Sequence, residues 1–402
     1  MFKSLNFKVI LFGFIFTFFS SFGQSFFLGL FNPSIRETLS ITHGQFGSIY
    51  ASATLLSSFI LVWIGKKIDD VSILKFASYV TALLAISCFL FSKISSIFFL
   101  FFSIFLMRLS GQGLMSHTAT TTISRYFERS RGKALSTTWL GLSLAEFISP
   151  LLIVFLLTII EWRDIWLSIS ILVIVALPLA SFFLVKNIKL DSREISDKKN
   201  KKIKEIKQWK RMEVIKDYRF YIICLNMLAM PWIATGTFVY QSFISTSKVW
   251  GPYVIAQSFM VYSILSVVTL IFSGFLIDKF SSRKLLVYMN LPLLFSVFVL
   301  FSFNSPVSSF IFLGLIGISN GLANVVGTAT WAEIYGVKYI GSIKALTTAL
   351  MVFYTAFGTA LFGILIDNSF SIEQIALVSG SYILIAITLL LFIKNKLNPN
   401  YL

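Results

Sequence analysis

Apolar runs of about twenty residues recur along this chain, and a run of that length limits what it can become. Carried across a bilayer as a helix, it satisfies every backbone N–H and C=O internally, which an exposed loop or open strand at lipid depth cannot do. Twelve runs are present, at 9–31, 44–65, 72–92, 96–123, 134–159, 165–185, 220–245, 252–277, 285–303, 307–331, 345–366 and 374–393. Turn residues separate them: NPS at 32–34, KKIDD at 66–70 and NSPVSS at 304–309. The stretch 285–332 carries no charge at all, yet it is too long for one span, and the NSP at 304–306 divides it. The fold class read from this pattern is an all-α membrane protein with twelve transmembrane helices. Only 13% of residues are charged, roughly half the share of a soluble globule. The first run exceeds the 7–15 apolar residues of a signal-peptide core and no A-x-A-like site follows it, so it reads as an uncleaved first helix.

A net charge of +17 could suggest a nucleic-acid partner, but its distribution does not. With the N-terminus inside, 29 of the 34 Lys and Arg fall on the cytoplasmic side. Arg36, Lys93, Arg163 and Lys248 lie outside and Arg108 lies in the membrane. That is the positive-inside pattern, so the charge reports topology and both termini are expected in the cytoplasm. The polar stretch 186–219 holds 13 of those basic residues. It reads as a cytoplasmic linker carrying a short amphipathic or solvated helix against anionic lipid headgroups. Cys88 and Cys224 each fall inside an apolar run and read as structural thiols, without metal-ligand spacing. No cofactor is expected.

The two halves repeat. Gly65 and Asp69 follow the second run, and Gly274 and Asp278 follow the eighth, at an offset of 209. Tyr126 to Tyr335 and Gly132 to Gly341 keep the same offset. A shared offset in equivalent loops implies two six-helix bundles related by an axis along the membrane normal. The expected domains are 1–186 and 219–402, each a six-helix bundle, with 187–218 as the linker between them.

In these loops the sequence resembles the major facilitator superfamily over essentially its whole length. The family's loop signature G-x-x-x-D-[RK]-x-G-[RK]-[RK] is matched, somewhat displaced, by GFLIDKFSSRK at 274–284. The copy at 65–70 departs from it: Asp70 stands where a base is usual, and the Gly-Arg-Lys end is missing. RLSGQG at 108–113 is similar to the family's R-x-x-x-G-x-G pattern, one residue shorter. The helix 5 antiporter pattern is poorly matched, with only Gly141 and Pro150 remaining. YFERSRGKAL at 126–135 looks like the YF…RG-x-A segment of the monocarboxylate and oxalate/formate carriers within the superfamily. The resemblance implies a transporter that rocks two bundles about a midplane site.

Arg108 and Glu146 are the two charges expected at mid-membrane, where each costs about 2.5–3.5 kcal/mol even on the mildest scale. Being opposite in sign, on sequential helices and at similar depth, they read as a buried pair or an ion-handling site. Arg108 either faces the cavity and binds a substrate carboxylate bidentately, or is locked to Glu146. Glu146 is either the proton carrier or a static counter-ion. Gln112 shares a helical face with Arg108, and Gly111 and Gly113 permit close helix packing. His117 lies roughly 180° round the helix from Arg108, and so reads as an interhelix hydrogen-bonding residue. His43, at the outer start of the second run, reads as solvated. In the second half, Trp232, Thr235, Tyr240, Gln241, Asn320 and Asn324 are candidate cavity residues. Pro150, Pro178, Pro231 and Pro292 are candidate kinks. Gly65, Asp69, Arg131, Gly274, Asp278 and Arg283 are the candidate gating residues, with the glycines letting backbones approach and the carboxylates pairing with bases or capping a neighbouring helix.

The sequence lacks a metal-binding cluster, a nucleophile with a base, a nucleotide-binding glycine loop and an ATPase motif. It therefore reads as a secondary transporter rather than an enzyme, driven by a gradient. The expected substrate is a small organic anion, first a monocarboxylate, moved with protons by a monomer in a bacterial inner membrane. The alternative is efflux of a drug-like or sugar-like solute.

Overall fold

The computed structural model describes residues 2–127, 131–186 and 207–398. Among the described residues, twelve helices are long and apolar enough to cross a membrane. Spans 1–6 are Asn6–Gly23, His43–Asp69, Ile73–Ser92, Ile97–Tyr126, Gly132–Leu156 and Trp162–Val185. Spans 7–12 are Tyr218–Val239, Pro252–Ile277, Ser282–Ser302, Pro306–Tyr335, Ile340–Asp367 and Ile372–Lys396.

Their starts are written in local chemistry. Thr42 accepts the amide of Gln45 while Gln45 accepts the amide of Thr42, a capping box that opens span 2. Ser371 and Gln374 do the same for span 12. Ser72 and Ser96 cap spans 3 and 4. Pro252 and Pro306 occupy the first turns of spans 8 and 10, where the missing amide costs nothing. The outward faces are apolar, with Phe183 at 70% and Phe392 at 80% exposure, as lipid contact demands.

Three spans depart from the continuous helices expected. Span 1 stops at Ser20, passes through a 3-10 turn at Ser21–Gly23 and an extended Gln24, and resumes as a helix at Ser25–Leu28. Span 7 is interrupted at Leu228, where Pro231 has no N–H to give the carbonyl of Met227, and a turn at Tyr240 separates it from the short helix Gln241–Ser247. Span 9 turns at 287–290 before Leu291–Ser302, so Pro292 starts a helix rather than kinking one.

The chain divides into two compact units. The first comprises the described residues of Met1–Ser192 with Gly236–Ile244 and Thr359–Asn368. It is packed around Trp166, whose ring lies 4.4 Å from Phe91, 5.0 Å from Phe31 and 5.5 Å from Phe27 between centroids. The second comprises the described residues of Arg193–Thr235, Ser245–Gly358 and Ser369–Leu402, around a cluster that includes Phe220, Trp331 and Tyr335.

Residues 187–206 of the expected linker lie outside the described part. Its end is docked on the second unit: the amide of Trp209 donates to the carbonyl of Tyr335 (3.1 Å), and that of Lys338 to Oε1 of Gln208 (2.9 Å). The short helix Arg211–Lys216 follows. There the amide of Lys210 donates to Glu213 (2.7 Å), which with Lys207 holds the Glu213 carboxyl below the usual carboxylate range.

Candidate functional site

The first unit brings together two irregular stretches of helix. Span 4 is α-helical over Ile97–Met107, π-helical over Arg108–Met115 and α-helical again over Ser116–Tyr126. Wide π turns occur where a helix is locally over-full, and they re-aim side chains. This one faces the break in span 1. A Cβ on Gly23 would come within 2.4 Å of the amide nitrogen of Gln112, and one on Gly111 within 2.7 Å of the amide nitrogen of Gly23. The two backbones touch, and glycine on both sides is what lets them.

Arg108 lies at this junction with 3% of its surface exposed. Its Nη1 donates to the carbonyl of Gly23 at 3.1 Å and to Oγ of Ser25 at 3.4 Å. The guanidinium carbon stands 5.3 Å from the ring centroid of Tyr50, whose hydroxyl donates to Oγ of Ser25 at 3.1 Å. Nε is buried without a hydrogen-bond partner. No carboxylate of the described residues lies within ion-pair distance of Arg108.

The expected Arg108–Glu146 pair is therefore not formed. Glu146 is half-buried on span 5 and also has no ion-pair partner among the described residues. The carbonyl freed by the break in span 1, not a carboxylate, takes the Arg108 donor. Gln112 is half-buried one turn further along span 4.

Tyr240 and Gln241 are tied to backbone in the same unit. Tyr240 Oη lies 2.8 Å from the carbonyl of His43 and 3.2 Å from that of Thr359. Nε2 of Gln241 donates to Phe26 (2.7 Å) and to Phe238 (2.9 Å). His43 is half-buried rather than solvated, because Tyr240 and Phe243 pack on its ring. Asn320 and Asn324 belong to the second unit: Asn320 donates to Oγ of Ser266 (3.0 Å) and Asn324 to the carbonyl of Asn320 (3.0 Å). Trp232 is buried there against Phe357 and Tyr382.

Among the candidate gating residues, Asp69 forms an ion pair with Arg125 at the end of span 4. Gly65 offers its carbonyl to Nε2 of His117 (3.1 Å), so His117 is the interhelix partner expected. What approaches Gly65 is the His117 ring, not a backbone, and a Cβ on Gly274 would meet nothing within 4 Å, so close backbone approach is not what either glycine provides. Arg283 bridges to Glu333 (3.0 Å), which also accepts the amide of Ser282 (3.0 Å) and so caps the start of span 9. The side chains of Arg131 and Asp278 lie outside the described part.

The sequence reading passed over Ser25, Tyr50, Glu333 and Asp367. The first two carry no charge, and the acids sit at helix ends, where an acid reads as solvated. Asp367 accepts the amides of His43 (3.0 Å) and Gly44 (2.8 Å) at the N-terminus of span 2.

Twelve apolar spans, with polar and charged groups gathered at helix breaks inside them, define a multi-pass membrane protein. The family model described as Major Facilitator Superfamily matches residues 13–261 and 222–400, and the chain belongs to that superfamily. It is accordingly a secondary transporter of a small molecule and not an enzyme. No curated protein matches the sequence significantly. Among solved structures, it is similar to a bacterial homolog of the human lysosomal transporter Spinster in an inward-facing, occupied conformation. The identity there is 14%, the TM-score is 0.70, and the match covers 98% of this chain and 97% of that one. It is also similar to the nucleoside transporter NupG, at 13% identity and a TM-score of 0.67, covering 98% of each chain. At such identities the likeness is one of fold.

Proposed function

We propose that the protein carries a small organic anion, a monocarboxylate first, together with protons. The observation that supports this is Arg108: a buried guanidinium with an unpartnered Nε and no carboxylate within ion-pair distance among the described residues. A buried charge without a counter-charge is costly, and a substrate carboxylate is the group that would complete it, in the fork geometry that arginine favours. Gln112, Tyr240, Gln241, Asn320 and Asn324 are the polar groups proposed to line the path. Glu146 is proposed as the proton carrier, since its charge can change without breaking an ion pair. Gly65, Asp69, Arg131, Gly274, Asp278 and Arg283 are proposed to act at the cytoplasmic gate. The distribution of Lys and Arg supports both termini inside, and we place a monomer in a bacterial inner membrane.

The test uses purified protein in proteoliposomes and a panel of labelled small carboxylates, with and without an inward-acid pH gradient. One acid is expected to accumulate when the gradient is applied, and Arg108→Gln is expected to abolish that uptake. If folded protein moves no acid, while neutral or cationic solutes are carried, the anion reading is overturned.

A further inference from the structure

We infer that the second unit holds a site for sodium, a small monovalent cation, between the break in span 7 and the turn in span 9, with Oδ1 of Asn226 and Oδ1 of Asn290 as ligands. Both residues belong to that unit, and both are 0% exposed. The site does not depend on Arg108 or on the solute carried.

Its first component is the end of a half-helix. The helix Tyr218–Met227 stops at Leu228, inside span 7. Two of its last carbonyls take donors from other spans. Tyr382 of span 12 donates to the carbonyl of Leu225 at 2.9 Å, and Nδ2 of Asn290 donates to that of Asn226 at 2.5 Å. The next carbonyl, that of Met227, is the one Pro231 cannot serve with an N–H. A helix C-terminus carries partial negative charge, and carbonyls at an unwound point within a membrane span are groups that coordinate sodium in transporters.

The second component is independent of the first. Neither Oδ1 nor Nδ2 of Asn226 has a hydrogen-bond partner, and Oδ1 of Asn290 has none. Polar atoms buried this deeply are costly to leave unpaired, so the two carboxamides call for a ligand. The direction of the Asn290 carboxamide is set by chemistry. Only its NH2 can meet a carbonyl, so its oxygen is the atom left over, held beside the helix end by the same group.

The ligand set fixes the charge it can hold. Oxygen donors suit a hard cation. The carboxylates described in this unit are engaged elsewhere: Glu213, Asp217, Glu333 and Glu373 pair with Lys207, Arg219, Arg283 and Lys248. Neutral oxygens and one helix end can offset a single positive charge, which favours a monovalent ion over a divalent one. Neither carboxamide titrates, so the ion is not a proton.

The test reads stability and needs no knowledge of the solute. The purified full-length protein is melted in detergent in sodium chloride and in choline chloride at one ionic strength. Sodium is expected to raise the thermal midpoint of the parent saturably, since an ion bound only by the folded state stabilises it by mass action. Asn226→Ala and Asn290→Ala are each expected to raise the half-maximal sodium concentration about ten-fold or more. Asn290→Ala also gives up the bond to the Asn226 carbonyl, whereas the Asn226 side chain makes no bond to lose, so Asn226→Ala carries the test if Asn290→Ala does not fold. Equal parent midpoints in sodium and choline, or a sodium effect unchanged in Asn226→Ala, would overturn the site and leave buried water as the partner of these carboxamides.

Discussion

Nη1 of Arg108 lies 3.1 Å from the carbonyl oxygen of Gly23, so the one arginine of span 4 that sits at lipid depth is fixed to the break in span 1. This contact joins the break in span 1 to the π turns of span 4. The break frees a carbonyl, and the π turns of span 4 carry a guanidinium to it. The geometry also spends only Nη1, leaving Nε as a buried donor without a partner. Arg108 is thus a strut for span 1 that keeps a buried donor to spare, the feature on which the proposed anion site rests.

That double use separates two substitutions. Arg108→Lys keeps the charge but loses the fork, since an ammonium presents no paired planar donors. We expect Lys to retain uptake at about 3- to 10-fold below the parent and Gln to fall at least 10- to 100-fold, in line with about 1.5–3 kcal/mol for a hydrogen bond to a charged group. Equal losses for Lys and Gln in uptake assays would mean that charge is not what Arg108 contributes to transport.

The Gly23–Gly111 contact makes a stability prediction. Alanine at Gly23 places a methyl 2.4 Å from backbone atoms of Met107 and Gln112, which cannot give way as a side chain would. We expect Gly23→Ala to cost about 1–3 kcal/mol and to lower the thermal midpoint in detergent. Ser21→Ala, two residues earlier, is the control. Its Oγ is buried without a partner, so removing it should leave the midpoint unchanged or slightly higher. A Gly23→Ala midpoint equal to the control's would show that the junction has slack.

The spans were legible because length and apolarity suffice to specify a bilayer helix, whereas the caps at Thr42, Ser72, Ser96 and Ser371 are recognisable only once the helix starts are fixed. The breaks were not. Phe and Leu continue through 26–31, and only the SFGQS at 21–25 hints that the helix stops. Arg108 stands out because charge at lipid depth is expensive, but of its two readings the pair with Glu146 is not formed, since sequence gives depth without direction. Tyr240 and Gln241 announced themselves as polar residues in an apolar run, yet the carbonyls they bond, those of His43 and Phe26, are about two hundred positions away. Glu333 and Asp367 were passed over as ordinary loop-proximal acids, although each caps the start of another span.

Glu146 has no ion-pair partner among the described residues, so protonating it would break no salt bridge. If it couples transport to protons, Glu146→Gln should remove the stimulation of uptake by an inward-acid gradient. Counterflow exchange, which needs no net proton movement, should persist. Gradient-driven accumulation that survives in Glu146→Gln would exclude Glu146 as the carrier.

Glu213 gives a pH dependence outside the membrane. The amide of Lys210 and the Lys207 ammonium favour its ionised form, so its carboxyl is more acidic folded than unfolded. A depressed value stabilises the docked segment above the unfolded value of about 4.3, and the contribution fades as pH falls through the lower folded value. Amide exchange of residues 208–213 should therefore be slower in the parent than in Glu213→Gln at neutral pH. The two should converge in acid. A difference that persists unchanged at low pH would place the stabilisation elsewhere.

Lys248 is the most deeply buried cation described, its side chain 0% exposed, yet it lies in a loop at the outer end of span 7. Nζ contacts Glu373 at 2.7 Å and Oδ1 of Asn304 at 2.8 Å, and the indole of Trp250 donates to the Asn304 carbonyl at 2.9 Å. The two ends of the ion pair are not equivalent, because the Glu373 side chain is 37% exposed and can be hydrated when left alone. Glu373→Gln strands a buried ammonium and should be the worse change, by about 1–3 kcal/mol after allowing for that exposure. Lys248→Met removes the buried charge, keeps the apolar stem and leaves the carboxylate to water, so its thermal midpoint should fall less. If Lys248→Met proves the more damaging of the two, the ammonium is holding the loop through Asn304 rather than through Glu373, and Asn304→Ala should then reproduce its loss.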